Sequence, residues 1–237
     1  DQTLTLVDGS IIYNPSHIGN IASTFNSNAI QDIKLIKGAF PAEYGGRLSS
    51  VLDIRLRSGT KEKEKGTIGV GVINSFFNLE GPLEKSATYM VAGRIMYYDL
   101  LQNNFDKNSS VPRYTFHDLN GKMNFNLSES SILSLSAMYS YDNMYNPAED
   151  EIDYNIEWKN LNVALNWLQI NSKSLLINSS LSFTNYEFSS KIGIGTSTVS
   201  SSSYFVNPNL TDLIFRQTAE LNWAMNQKLK TGFEIAF

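Results

Sequence analysis

From residue 119 onward, polar and apolar side chains alternate with period two. Leu119, Gly121, Met123, Phe125 and Leu127 interleave with Asn120, Lys122, Asn124 and Asn126. Leu133, Leu135, Ala137, Tyr139 and Tyr141 interleave with Ser134, Ser136, Met138 and Ser140. The same pattern returns with Leu161, Val163, Leu165 and Trp167, and again with Ala219, Leu221, Trp223 and Met225. Side chains along a strand point alternately to its two faces, so each segment predicts a strand with one greasy face and one Asn/Ser/Lys/Glu face. About nine such signals, most of them roughly 8–14 residues long, run from Gly66 to the end of the chain.

Alternation alone leaves open which face is inside. A soluble sandwich or barrel buries the apolar face, whereas a membrane barrel turns it to lipid. The connections favour the second arrangement. Turns near 128–131, 171–173 and 226–228 are tight, while those near 101–115, 143–155 and 189–211 are long and rich in Ser, Asn and Asp. Strict alternation of short and long connections, with every short turn at one end, is the signature of an outer-membrane barrel. Aromatic residues agree: Phe125, Trp167 and Trp223 lie near the short turns, and Tyr97, Tyr139, Tyr141 and Phe183 lie toward the long ones. Two such bands match interfacial girdles. Arg94, Lys122, Arg216, Glu220 and Glu234 then face a lumen, which requires water or a plug domain there. On this assignment an arginine at Val163 is costly and one at Asn162 nearly neutral. Nine strands do not close a filled barrel of about 22, so the first strand near Gly66 and the last near Phe237 are expected to be open edges of a fragment.

The N-terminal part has a different grammar. Residues 4–8 and 11–13 read as short strands broken at Asp8-Gly9, a turn dipeptide. Residues 14–20 carry turn chemistry, and 27–31 predict one helical turn capped by Ser27 or Asn28. A strand over 33–37 stops at Gly38; Pro41 and Gly45-Gly46 punctuate a loop, and a second strand runs from Leu48 to Arg57. The run SGTKEKEK over 58–65 is a charged, solvated linker.

This first part carries a resemblance. The run from VDGSIIYNPSH through NAIQDIKLIKGAFPAEYGGRLSSVLDIRLRSG resembles the C-terminal half of the plug of a TonB-dependent outer-membrane receptor, most closely the Bacteroidetes type with a carboxypeptidase-regulatory-like domain. The likeness rests on Val7-Asp8-Gly9, residues 33–38, Tyr44-Gly45-Gly46 and Val51-Leu52-Asp53-Ile54, and covers roughly the first quarter of the chain. It implies three parts: the end of a plug over 1–57, the linker over 58–65, and the first strands of a transmembrane β-barrel over 66–237. The fold class is thus mainly β, a partial α/β plug followed by antiparallel barrel strands. The implied function is capture of a scarce nutrient at the cell surface and import by plug rearrangement driven by the TonB complex. The TonB box is expected upstream of Asp1, and the expected location is the bacterial outer membrane, with its lipid around the strands. The ligand stays open between siderophore, vitamin, oligosaccharide and peptide.

By the same likeness, Asn14, Pro15, Ser16 and His17 are the ligand-contacting apical residues, with Phe40 and Pro41 as a weaker second set. Plugs of this kind anchor through basic residues to barrel acids, which assigns Lys37 and Arg47 as plug partners of Glu220 and Glu234. Two alternatives remain: a soluble β-sandwich binding module, and an ungated porin or adhesin barrel, against which the plug-like stretch argues.

Composition changes little. The chain has 237 residues, 42% hydrophobic, 12% aromatic and 18% charged, with net charge −4. It has no basic footprint for nucleic acid. Without cysteine there are no disulfides, thiolate metal sites or cysteine nucleophiles. The two histidines, His17 and His117, lie far apart with no HExxH, so neither a metal site nor a cofactor is expected. His17 sits in a polar turn and reads as a surface or ligand-contacting residue; His117 reads as structural. Asp8, Glu43 and Asp53 serve acid–base chemistry only if they converge, and Asp8 reads as a turn organiser. The acidic run Glu149-Asp150-Glu151 with Asp153 has calcium-ligand chemistry without the spacing of a calcium loop, and reads as a solvated loop. Nothing here argues for an enzyme.

Overall fold

In the computed structural model the described residues are 3–17, 24–38, 40–46, 49–99, 112–146, 152–172, 174–194, 202–224 and 227–237. They form two sheets. The first is small: β1 (Thr3–Val7), β2 (Ser10–Ile11), β3 (Ile30–Lys37) and β4 (Ser50–Leu56), in the order β2-β1-β4-β3. β1 runs parallel to β4; the other pairs are antiparallel. Asp8 and Gly9, with φ of 48° and 88°, supply the two successive positive values that a two-residue hairpin between Val7 and Ser10 requires. The helical turn expected near residue 27 is a 3-10 turn over Ser27–Ala29. Its cap is Asn26, whose side chain accepts from the Asn28 N–H, and not Ser27 or Asn28.

The second sheet is an antiparallel meander. It comprises β5 (Lys65–Val70), β6 (Asn74–Glu84), β7 (Ala87–Met96), β8 (Arg113–Ser128), β9 (Ser131–Asn146), β10 (Ile152–Ile170), β11 (Leu175–Ile194), β13 (Asn209–Ala224) and β14 (Gln227–Ala236). A short β12 (Ser202–Val206) pairs with the far end of β11. β12 and β13 occupy the same edge of β11, interrupted at Asn207-Pro208. The fold class expected from the sequence is therefore observed: an antiparallel sheet beside a small mixed one.

Strand length departs from expectation. β8, β9 and β13 have 16 residues, β10 has 19 and β11 has 20. Within the segments 143–155 and 189–211, expected as loops, the described residues 143–146, 152–155, 189–194, 202–206 and 209–211 are paired strand. The physical reason lies in the outward face. Its apolar run spans about nine residues on β8 (Leu119 to Leu127) and β9 (Leu133 to Tyr141). Beyond it the backbone ladder continues while the outward residues turn polar: His117 and Thr115 on β8, Lys159 and Glu157 on β10, Glu187 and Lys191 on β11. Strict alternation of short and long connections also fails at one place, since β5 and β6 are joined at the far end by only Gly71, Val72 and Ile73.

Burial is inverted relative to a soluble sandwich. Leu119, Leu127 and Trp223 are 49%, 57% and 65% exposed, whereas Asn120, Asn160 and Asn162 are at 1%, 0% and 2%. The small sheet covers the polar face. One apolar core joins the two sheets: Val7, Ile12, Ile54 and Leu56 pack against Met90, Ala92 and Met138. A second core lies on the other side of the small sheet, around Leu4, Leu6 and Val51.

Candidate functional site

The interface between the small sheet and the inner face of the meander is where the chemistry collects. Its lower part satisfies backbone. Asn162 Nδ2 and Thr184 Oγ1 donate to the Ile11 carbonyl at 2.7 and 2.9 Å, Asn166 Nδ2 to the Asp8 carbonyl at 3.0 Å, and Asn124 Nδ2 to the Ser58 carbonyl at 2.9 Å. Ser10 and Thr184 hydroxyls meet at 3.0 Å. This explains the Asn/Ser/Thr face. Buried carbonyls of an irregular chain need donors, and short neutral amides and hydroxyls supply them without burying charge. It also overturns the expectation that an arginine at Asn162 would be neutral, because that side chain is buried and bonded.

Charged pairs rivet the interface at separate heights. Lys122 Nζ on β8 lies 2.9 Å from Asp8 Oδ1 and also donates to the Leu56 carbonyl at 3.2 Å. Arg57 forms a fork with Glu80 on β6, at 3.0 and 2.7 Å. Asp8 thus both makes the turn, as its sequence suggested, and anchors it.

The densest cluster surrounds His17. Its ring is 1% exposed and stacks on Phe116 at 3.8 Å between centroids. Nδ1 lies 2.8 Å from Asp142 Oδ2, and Nε2 lies 3.0 Å from Asp118 Oδ1. Arg94 Nε donates to Asp118 Oδ2 at 2.7 Å, and Arg94 Nη2 approaches His17 Nε2 at 3.1 Å. Tyr114 Oη donates to Asp142 at 2.6 Å. Burial pulls the His17 pKa down, but the carboxylates of Asp118 and Asp142 beside its two nitrogens outweigh it and hold the pKa above the ordinary 6.5. The sequence reading of His17 as a surface residue is therefore corrected: the turn that carries it is folded against the wall. Turn composition reports a bend in the chain, not what the bend is pressed against.

The other expected site residues scatter. Asn14, Pro15 and Ser16 are half-buried beside His17, with the Asn14 carbonyl accepting from Asn160 Nδ2 at 3.3 Å. Tyr13, just before them, bonds Asp212. Phe40 packs against the core of Leu4, Leu6 and Val51. Pro41 is exposed and lines a cleft of about 370 Å³ between the 41–43 loop and β13–β14, beside Arg216 and Lys230. The expected anchor pairs are not formed as assigned. Glu220 pairs with Lys228, at 2.7 Å, and Glu234 with Arg216, both within the β13–β14 hairpin. Lys37 is exposed on β3, and Arg47 lies outside the described residues. Basic small-sheet residues do anchor to meander acids, through Arg57 and His17; Asp8–Lys122 and Glu43–Lys230 run with the opposite polarity. Among the described residues no group of three or more ligating side chains could hold a metal ion.

No protein-family model matches the chain, and no curated protein matches it in sequence. Solved structures match its fold over nearly the whole chain. A ferric enterobactin receptor (PfeA) mutant from Pseudomonas aeruginosa superposes with TM-score 0.68 at 16% identity, over 99% of this chain and 41% of that one. The siderophore receptor PirA from Acinetobacter baumannii gives 0.67 at 15% identity, over 99% and 40%. The copper transporter OprC gives 0.72 at 12% identity, over 100% and 38%. The chain spans about two fifths of the length of these structures, and its fold is that of the corresponding part of such receptors.

Proposed function

We propose that the chain is part of a TonB-dependent outer-membrane receptor, of the Bacteroidetes type that its N-terminal motifs resemble. Residues 1–57 are the end of its plug, 58–65 the linker and 66–237 the first barrel strands. The observation that carries this reading is the inverted burial. A sheet whose outward face is apolar over about nine residues, and whose inward face is Asn, Ser and Thr bonded to a small folded unit, is built for lipid outside and a plug inside. The fold likeness to siderophore and copper receptors supports the same assignment.

In this reading the protein binds a small nutrient at the cell surface and imports it through TonB-driven plug movement. Asn14, Pro15 and Ser16, at the upper end of the plug segment, are the ligand-contacting residues; His17 contributes by holding that segment to the wall. Deletion of the gene tests the function. Uptake of at least one ligand class among siderophore, vitamin, oligosaccharide and peptide should be lost in the deletion strain and equally in a strain lacking TonB. Unchanged uptake of all four classes would contradict the proposal.

A further inference from the structure

We infer that His17 is a protonation-dependent clasp, tightest with the imidazolium, that fixes residues 13–17 to β7, β8 and β9. Three charged groups reach the ring, Arg94 from β7, Asp118 from β8 and Asp142 from β9, and Tyr114 from β8 stands behind Asp142, donating to it. Phe116 closes one side of it. With both nitrogens protonated, two cations and two carboxylates balance in a site where His17, Asp118 and Asp142 side chains have no solvent exposure. Asp118 Oδ1 is buried and has no well-aligned hydrogen-bond donor, so the protonated Nε2 beside it supplies the nearest compensating charge from the small-sheet side. Loss of that proton leaves one uncompensated negative charge in the cluster, and Arg94 becomes the group that Nε2 can bond, as an acceptor.

The direction follows from linkage. Released from the wall, His17 returns to an ordinary histidine pKa near 6.5; clasped, it holds its proton more tightly. The clasp is therefore at full strength below about pH 6.5 and weakens as the pH rises through the clasped value. Above that value it stays at its weaker limit. Acid locks the segment and alkali loosens it. Its consequence for import, easier separation of plug and wall at higher pH, rests on the receptor reading; the clasp itself does not.

Amide hydrogen exchange on the purified full-length protein in detergent tests it. Protection of residues 11–17 is followed from about pH 5 to about pH 9 and corrected for the intrinsic chemistry of exchange. The opening equilibrium of this segment should rise by up to tenfold per pH unit above about pH 6.5 and then level off. His17→Gln should abolish the rise, and Asp142→Asn should make it smaller and bring its plateau to lower pH. A pH slope shared by wild type and His17→Gln, or an Asp142→Asn curve that coincides with wild type, would overturn the clasp. If His17→Gln fails to fold, the earlier plateau in Asp142→Asn decides. Outer-membrane location of the protein is read separately, so failure of the receptor reading and failure of the clasp are distinct results.

Discussion

The Asp8–Lys122 pair offers the sharpest test of how the small sheet is held. Its two side chains are 5% and 10% exposed, and their charges sit 2.9 Å apart. At an effective dielectric of about 20 the attraction is about 6 kcal/mol, most of it offset by the cost of stripping water from both ions. Removing one partner exposes that cost. Lys122→Met keeps the stem and leaves the Asp8 carboxylate buried with the weak hydrogen bond from the Leu56 N–H, at 3.3 Å. The expected destabilisation is about 3–5 kcal/mol. Asp8→Asn removes the charge while keeping a residue type that tolerates the turn's φ of 48°. The two single variants and the double are compared by equilibrium unfolding of the full-length protein in detergent, followed by tryptophan fluorescence. Because the double variant buries no unpaired charge, it should be more stable than the sum of the singles implies, by about 1–3 kcal/mol. Costs that add to within about 0.5 kcal/mol, or a Lys122→Met cost below about 1 kcal/mol, would refute the reasoning.

Other outcomes follow from the same geometry. Val163→Arg, in the middle of the outward apolar run, should cost about 2–4 kcal/mol in lipid refolding, whereas Ser189→Arg, on the same face beyond the run, should cost about 0–1 kcal/mol; equal costs would contradict the depth assignment. Gly59 has φ of 76°, and a Cβ there would sit 2.3 Å from the Tyr89 carbonyl oxygen. Gly59→Ala should therefore lower stability by at least about 1–2 kcal/mol, and a neutral result in thermal unfolding would show that Gly59 does not lie against the Tyr89 backbone.

Much of this architecture was legible in the sequence, for a definite reason. Period-two alternation reports two environments on two faces, so Leu119 and Asn120 were assignable to opposite sides before any contact was known. Asp8-Gly9 was legible because few dipeptides accept two positive φ values. What escaped depends on register or on depth. Alternation of apolar residues marks how far a strand lies in the belt, not where its hydrogen bonds end, so β10 and β11 ran on past the point where Lys159 and Glu187 replace Leu161 and Phe183 on the outward face. Glu234 reads as free for a plug partner, yet the β13–β14 register, which shifts by one residue between Asn222 and Ala224, places it opposite Arg216; counting outward from the Ala224–Gln227 pair without that shift would have put Ile235 there instead. His17 was not recoverable, since Asp118 and Asp142 lie more than a hundred residues away and meet it only through the docking of two sheets.

The central claim is that the apolar strand faces meet lipid. It is tested most directly by separating cells that express the full-length protein into soluble, inner-membrane and outer-membrane pools, and running the detergent-extracted protein with and without boiling. The protein should appear in the outer-membrane pool, as a folded barrel whose gel migration changes on heating. A protein that stays soluble without detergent and migrates identically in both lanes would contradict it, and would make the exposed leucines of β8 to β11 an interface for something other than lipid.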